Sequence, residues 1–150
     1  TGGGSKARVL HSGDKGVTWT IYDSPIISGG AAGIFSIVFT SPNHGTIVGG
    51  SYLDSTNNSA ICATTTDGGV NWKLITGQQP GGYRSCVAAS NDARILLTVG
   101  RTGSDWSRDN GNTWIPIGQK GYFACAIGNR YAWAVGRNGK LGKLDLAKLE

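Results

Sequence analysis

Three observations predict an all-β chain built from repeated four-stranded antiparallel units. One eight-residue pattern, Ser/Thr-x-Asp-x-Gly-x-Thr/Asn-Trp, occurs as Ser12 to Trp19, Thr65 to Trp72 and Ser107 to Trp114, and self-similarity of this kind marks repeat architectures. Each copy adjoins short runs of β-forming residues: Ala7 to His11 and Thr20 to Tyr22, Ala60 to Thr64 and Lys73 to Ile75, and Ile115 to Ile117 after the third. Glycine supplies 25 of the 150 residues, with few helix formers in long runs, which suits a chain with many turns.

Strand, glycine-bearing polar turn and strand together spell a β-hairpin. In each copy the Asp (Asp14, Asp67, Asp109) is placed to accept hydrogen bonds from turn N–H groups. The Gly (Gly16, Gly69, Gly111) supplies positive φ without Cβ strain. The Trp (Trp19, Trp72, Trp114) then folds over the hairpin end. The motif is explained as a turn clasp; the competing reading gives the aspartates a ligand role.

Along the chain, Thr1 to Ser5 reads as a flexible Gly-rich start, and strands Ala7 to Ser12 and Thr18 to Tyr22 flank the first clasp. Asp23 to Ala32, with Pro25 and Gly29-Gly30, is a loop. Gly33 to Phe39 is strongly apolar and is expected to be buried on both faces. A turn at Ser41 to Gly45, a strand Thr46 to Gly50 and a polar loop Ser51 to Ser59 follow. Strands Ala60 to Thr65 and Val70 to Ile75 complete a four-stranded unit. The order repeats after the loop Thr76 to Gly82, with strands Arg84 to Ala89, Arg94 to Gly100, Ser104 to Ser107 and Thr113 to Ile117. A last passage, Tyr122 to Ile127, Tyr131 to Gly136 and Gly139 to Leu146, carries no fourth strand or clasp. Leu144 to Glu150 is expected to form a terminal helical turn or two.

Four short antiparallel strands recurring at about 40–50 residues describe β-propeller blades. The expected division is 1–32 as the last two strands of a blade, 33–76 and 77–118 as whole blades, and 119–150 as an incomplete one. That is a partial propeller of about three blades. Propellers typically have about 4–8 blades, and an open stack leaves apolar faces and strand edges uncovered. The chain is therefore expected to be the C-terminal part of a longer propeller, or to have its ring completed by a second chain.

Hydrophobic residues at 39% with charged residues at 15% are globular proportions, not disordered ones. No apolar run reaches the roughly 18 residues of a membrane span, and no basic-then-apolar leader is visible. The net charge of +5 favours an acidic partner but is far from the dense basic stripe of a nucleic-acid binder. Cys62, Cys86 and Cys125 form no C-x-x-C pair, which argues against zinc. Their apolar neighbours suit buried free thiols, with one disulfide as the other reading.

Catalytic signatures are wanting. A glycosidase needs a carboxylate pair, or a Tyr/Glu nucleophile beside arginines. The only Glu is Glu150; the aspartates outside the clasps include Asp54, Asp92 and Asp105. His11, beside a clasp, and His44, in a Pro-Asn-His-Gly turn, offer no Ser/Cys and Asp arrangement suited to a triad, and two isolated His make no metal site. Asp105-x-Ser107-x-Asp109 departs from a calcium loop in its late Gly and missing downstream Glu. No dinucleotide or phosphate-loop fingerprint is present. The sequence assigns no catalytic residue, metal or cofactor.

The eight-residue pattern resembles the Asp-box, or BNR repeat, of β-propellers found in sialidases, in other secreted glycosidases and in the photosystem II assembly factor family with its bacterial relatives. Val48-Gly49-Gly50, Val99-Gly100-Arg101-Thr102-Gly103, Val135-Gly136-Arg137-Asn138-Gly139 and Gly82-Tyr83-Arg84-Ser85 carry a closer likeness to the assembly-factor group. That resemblance implies a non-catalytic binding module with an assembly or stability role, secreted, periplasmic or lumenal. The alternative it implies is a fragment of a sialidase-like secreted glycoside hydrolase whose catalytic residues lie outside this chain.

In a propeller the clasp joins third and fourth strands, so the loops at the opposite end would carry function. Those loops hold Tyr52, Asp54, Tyr83, Arg84, Arg101, Lys120, Tyr122 and Arg137. Arg101 and Arg137 stand at matching places after Val-Gly, where Gly would let a partner approach the backbone. Arg offers a planar fork for carboxylate or phosphate, and Tyr adds amphipathic contact area. The partner expected there is a protein, an acidic peptide or a glycan. The competing reading is a solvated basic rim.

Overall fold

Alternation of side chains along each strand, and a turn after each, lays the chain down as four antiparallel meanders. The computed structural model describes residues 4–149; residues 1–3 of the Gly-rich start, and Glu150, lie outside the described residues. Blade 1 has β1 (Arg8–His11) and β2 (Thr20–Asp23). Blade 2 has β3 (Ala32–Phe39), β4 (Gly45–Ser51), β5 (Cys62–Thr65) and β6 (Lys73–Leu74). Blade 3 has β7 (Cys86–Ala89), β8 (Leu96–Gly100), β9 (Gly103–Ser107) and β10 (Ile115–Gly118). Blade 4 has β11 (Ala124–Ile127), β12 (Tyr131–Val135) and β13 (Leu141–Asp145). Each sheet runs in sequence order with antiparallel neighbours, so the architecture is that of a partial β-propeller.

The core lies between sheets, not within one. Ala7, Ile26, Ile47, Ala63 and Trp72 fill the space between blades 1 and 2. Val48, Cys62, Ile75, Val87, Leu96 and Trp114 fill that between blades 2 and 3. Leu97, Val99, Ala132 and Ala134 join blades 3 and 4. Neighbours on one strand therefore face opposite interfaces, as the pleat requires: Ile47 faces blade 1 and Val48 faces blade 3.

This places full two-sided burial on the second strands, β4 and β8, and not on β3 as the apolar run suggested. In β3, Phe35, Ile37 and Phe39 are exposed to about two fifths of their surface. Ile37 and Phe39 turn towards blade 1, which among the described residues has only β1 and β2 and offers no inner strand to cover them. A register shift between Ile34 and Ser36 redirects Phe35, as a bulge does.

Several expected strands start late, and β6 and β8 show why. The clasp takes the chain as far as Trp72, leaving β6 only Lys73 and Leu74. Before β8, Ala93 adopts φ 59°, Ser90 Oγ donates to Asp92 at 2.6 Å, and the Ile95 N–H returns to Ser90 Oγ at 3.0 Å. At the end, Leu146–Lys148 forms one 3-10 turn capped by Asp145. It buries Leu149, whose carbonyl accepts from the Arg108 guanidinium.

Candidate functional site

The clasps define one end of the molecule. Ser12 Oγ donates to Asp14 at 2.8 Å and accepts the Gly16 N–H at 2.6 Å. Asp14 takes the Thr18 N–H at 2.8 Å and the Thr18 hydroxyl at 2.6 Å. Trp19 Nε1 donates to the Gly16 carbonyl at 3.1 Å. Thr65, Asp67, Gly69, Asn71 and Trp72 reproduce this network, with the Asn71 amide donating where Thr18 gives its hydroxyl. Ser107, Asp109, Gly111, Thr113 and Trp114 do so again. The seventh position accepts Thr or Asn because both donate from the side chain.

These bonds favour the ionised carboxylate. The Thr18 hydroxyl, then its N–H, holds Asp14 down at about 2. The Asn71 N–H, then its amide, does the same for Asp67, also to about 2. Burial pushes Asp109 up, but the bonds from Thr113 and Ser107 outweigh it and the group ends lowered. The hairpin turns of the first two strands share this end: the Gly68 N–H reaches the Asn43 carbonyl at 3.0 Å, and Asn91 bonds Asn129 at 2.6 Å.

At the opposite end the loops between β4 and β5, β6 and β7, β8 and β9, β10 and β11, and β12 and β13 meet. Arg101 Nη1 donates to the Tyr52 carbonyl at 3.0 Å. Phe35 stands edge-on to Tyr83, with centroids 4.8 Å apart, and to Tyr52 at 6.3 Å. Thr102 Oγ1 donates to the Ser55 carbonyl at 3.3 Å. In the next blade, Lys140 Nζ lies 5.8 Å from the Tyr122 ring centre. Arg101, Lys120, Arg137 and Lys140 are exposed, Tyr52 is 41% exposed and Tyr122 is half-buried. Asp54 is the exposed acid of the first of these loops, and Asn57 donates to it at 3.2 Å.

Two expected members of the face are internal. Arg84 is 2% exposed, and its Nε and Nη2 both reach Asp105 Oδ2 at 2.6 Å. Its Nη1 donates to the Tyr83 carbonyl at 3.0 Å and to Thr102 Oγ1 at 2.9 Å. Burial pushes the Asp105 carboxyl up, against the Arg84 charge and the N–H groups of Arg84 and Gly81. Arg84 is thus a strut under the loops, with its donors already engaged. Tyr83 is 7% exposed and packs beneath them, where burial raises its hydroxyl. Lys140 and Phe35 were not legible as members: Lys140 follows a one-turn 3-10 segment, and Phe35 reaches this end through a register shift.

The glycines before the arginines have a different task from the one expected. A Cβ on Gly100 would stand 2.1 Å from the Tyr83 carbonyl oxygen, and one on Gly136 would stand 3.1 Å from that of Gly121. The backbone that approaches them is the chain's own lead-in to the inner strand, not a partner's.

The thiols are free, and only Cys62 is fully buried. Burial pushes Cys62 up to about 12. Cys86 and Cys125 lie half-buried on neighbouring inner strands, sulfurs 3.7 Å apart, and the Cys125 thiol holds Cys86 down at about 6. Among the described residues no three of His, Cys, Asp or Glu cluster as metal ligands, and no helix is long and apolar enough to cross a membrane.

The fold is shared with solved β-propellers. An ancestral GH74 enzyme superposes with a TM-score of 0.67 at 16% identity, over 95% of this chain and 21% of its own. YCF48 bound to D1 peptide gives 0.58 at 21% identity, over 76% of this chain and 38% of its own. The WD40 propeller domain of Doa1 gives 0.54 at 12% identity, over 75% of this chain and 37% of its own. The chain thus spans between about a fifth and two fifths of the length of these structures. No protein-family model matches the sequence, and no curated protein does. One of these neighbours was solved bound to a peptide and another is an enzyme.

Proposed function

We propose that this chain is a non-catalytic propeller module, of the Asp-box kind, that binds a protein partner through an acidic peptide at the end opposite the clasps. Its role would be in assembly or stability, in a secreted, periplasmic or lumenal setting. The observation that carries this reading is the exposed set Arg101, Lys120, Arg137 and Lys140 around Tyr52 and Tyr122, with the single acid Asp54 on the neighbouring loop. Guanidinium forks pair with carboxylates, and half-exposed tyrosines add contact area at little entropic cost. The shared fold with YCF48, solved bound to a peptide, supports the same reading. A glycan is the second ligand class that such a face suits. Further blades or a second chain would complete the ring.

The rival is a piece of a glycoside hydrolase, favoured by the likeness to the GH74 enzyme. It requires catalytic carboxylates from other blades, because Asp105 is engaged by Arg84 and the clasp aspartates by their own turns.

Calorimetry with a synthetic Asp/Glu-rich peptide tests the binding reading. Arg101→Ala with Arg137→Ala is expected to lower affinity at least about tenfold, the loss of roughly 1.4 kcal/mol, and to flatten the salt dependence. An unchanged affinity in the folded double variant removes the site. Release of reducing sugar from a xyloglucan by the chain within its complete ring would favour the hydrolase.

A further inference from the structure

One side chain bridges the first strand of blade 2 to that of blade 3, and the same bridge recurs between blades 3 and 4, where it is built from two thiols. Ser36 pairs with Val48 across β3 and β4, and Cys86 pairs with Val99 across β7 and β8. These two residues hold one repeat position. Val87 pairs with Thr98, and Cys125 with Ala134 across β11 and β12, which is the next position along. Ser36 Oγ accepts the Val87 N–H at 3.0 Å. One blade onward, Cys86 Sγ accepts the Cys125 N–H at 3.4 Å. Because the second position has changed from Val to Cys, two sulfurs now face each other across the seam, 3.7 Å apart.

Two further bonds fix β7 beside β11 on either side of the pair. Ser85 Oγ donates to the Phe123 carbonyl at 2.7 Å, and Asn91 donates to the Asn129 side chain at 2.6 Å. Both cysteines pack on the apolar seam of Leu97, Val99, Ala132 and Ala134. An S–S bond is ~2.05 Å long, so the sulfurs need to close by less than about 2 Å, which modest χ1 rotations cover. The two thiols are not equivalent. The Cys125 thiol, then its N–H and the Ser36 hydroxyl, hold Cys86 down at about 6 against the effect of burial. Cys125 is pushed up by giving its proton to Cys86 and by burial. The thiolate is the nucleophile, so Cys86 is the attacking member and Cys125 the resolving one.

We propose that Cys86 and Cys125 are a redox modification site, closed into an inter-blade disulfide by exchange with a low-molecular-weight disulfide. The Cys86 thiolate attacks one sulfur of the small disulfide, expels one thiolate and is left in a mixed disulfide. Cys125 then loses its proton, attacks the Cys86 sulfur and expels the second thiolate. The two protein thiols together give up two electrons and two protons, and the small disulfide leaves as two thiols. The bond ties positions 39 apart in the chain, which restricts the unfolded state, and it staples blade 4 to blade 3 at their inner strands. Cys62 takes no part: it is fully buried in the seam between blades 2 and 3, and burial holds it protonated. The site is separate from the Arg101 and Arg137 rim and does not depend on it.

The test equilibrates the intact native chain with an excess of oxidised glutathione and maps it by mass spectrometry without reduction. A peptide holding Cys86 is expected linked to one holding Cys125, with Cys62 free. Melting temperature is expected to rise on the order of 10 °C and to return with dithiothreitol. Cys125→Ser should trap glutathione on Cys86, whereas Cys86→Ser should react at Cys125 at least about tenfold more slowly. The map of the unaltered chain decides the pairing even where a variant fails to fold. Cys86 and Cys125 remaining free thiols in the native chain, a link through Cys62, or faster trapping at Cys125 than at Cys86 would overturn the proposal.

Discussion

Arg84 shows how far one side chain can move from its expected role once its neighbours are known. It follows Gly-Tyr in a loop of the exposed end, yet it is held by Asp105, Thr102 and the Tyr83 carbonyl, and both charges of the pair are about 2% exposed. Removing one member of a buried pair leaves the other uncompensated, at a cost of about 3–5 kcal/mol. Arg84→Ala should lose stability on that order in urea unfolding, and Arg84→Met with Asp105→Leu should recover much of it. The clasp aspartates predict a pH effect instead. Asp14 and Asp67 are held at about 2, below their ordinary 3.8. A lowered carboxyl contributes stability that is present above the unfolded value and lost as pH falls through the folded one. Stability should therefore fall between about pH 4 and 2, and carboxyl resonances of Asp14 and Asp67 should titrate near 2. Midpoints near 4 would show that the clasp bonds do not hold in solution.

The three hairpins share one internal geometry and differ in what lies beyond them. Each Trp Nε1 reaches its Gly carbonyl within 2.9–3.1 Å. The Trp72 and Trp114 rings pack against the blade before their own: Trp114 meets Val48 and Cys62, and Trp72 meets Ala7 and Ile26. Trp19 has no described blade before it and is 58% exposed. Exposure, not hairpin geometry, therefore sets the energetic weight of each copy. Trp114→Ala should cost about 3–5 kcal/mol, while Trp19→Ala should stay within about 1 kcal/mol. Equal losses would mean that the tryptophans act within their hairpins and not between blades.

Across the whole molecule, the two ends of the blade stack present uncovered apolar faces. Leu10 and Ile21 mark the outer side of blade 1; Trp133, Val135 and Leu141 mark that of blade 4. Val135 and Leu141 occupy the register of Val48 and Cys62, the pair that seats Trp114. A face of this kind is covered in an assembled propeller and drives association when it is not. Sedimentation of the 150-residue chain should show concentration-dependent self-association, reduced by Trp133→Lys with Leu141→Lys at unchanged melting temperature. A monomer at high concentration would leave further blades, rather than a second copy, to complete the ring.

The repeat was legible from the residues alone, because a clasp is local: Ser or Thr, Asp, Gly and Trp interact within eight positions, and spacing is the whole of their geometry. The meander order followed from the turns between strands. What separated Arg84 and Tyr83 from Arg101 and Arg137 was long-range. Asp105 is 21 positions from Arg84 and reaches it only after β7, β8 and β9 have paired. Two-sided burial of β4 and β8 likewise depended on which blades flank them, which hydropathy along one strand does not encode. The sequence by itself determined the hairpins, the four-strand period and the all-β class, since these rest on contacts between near neighbours. Only the tertiary structure decided which cations reach solvent and which tryptophans are seated, because each depends on the face that the next sheet presents.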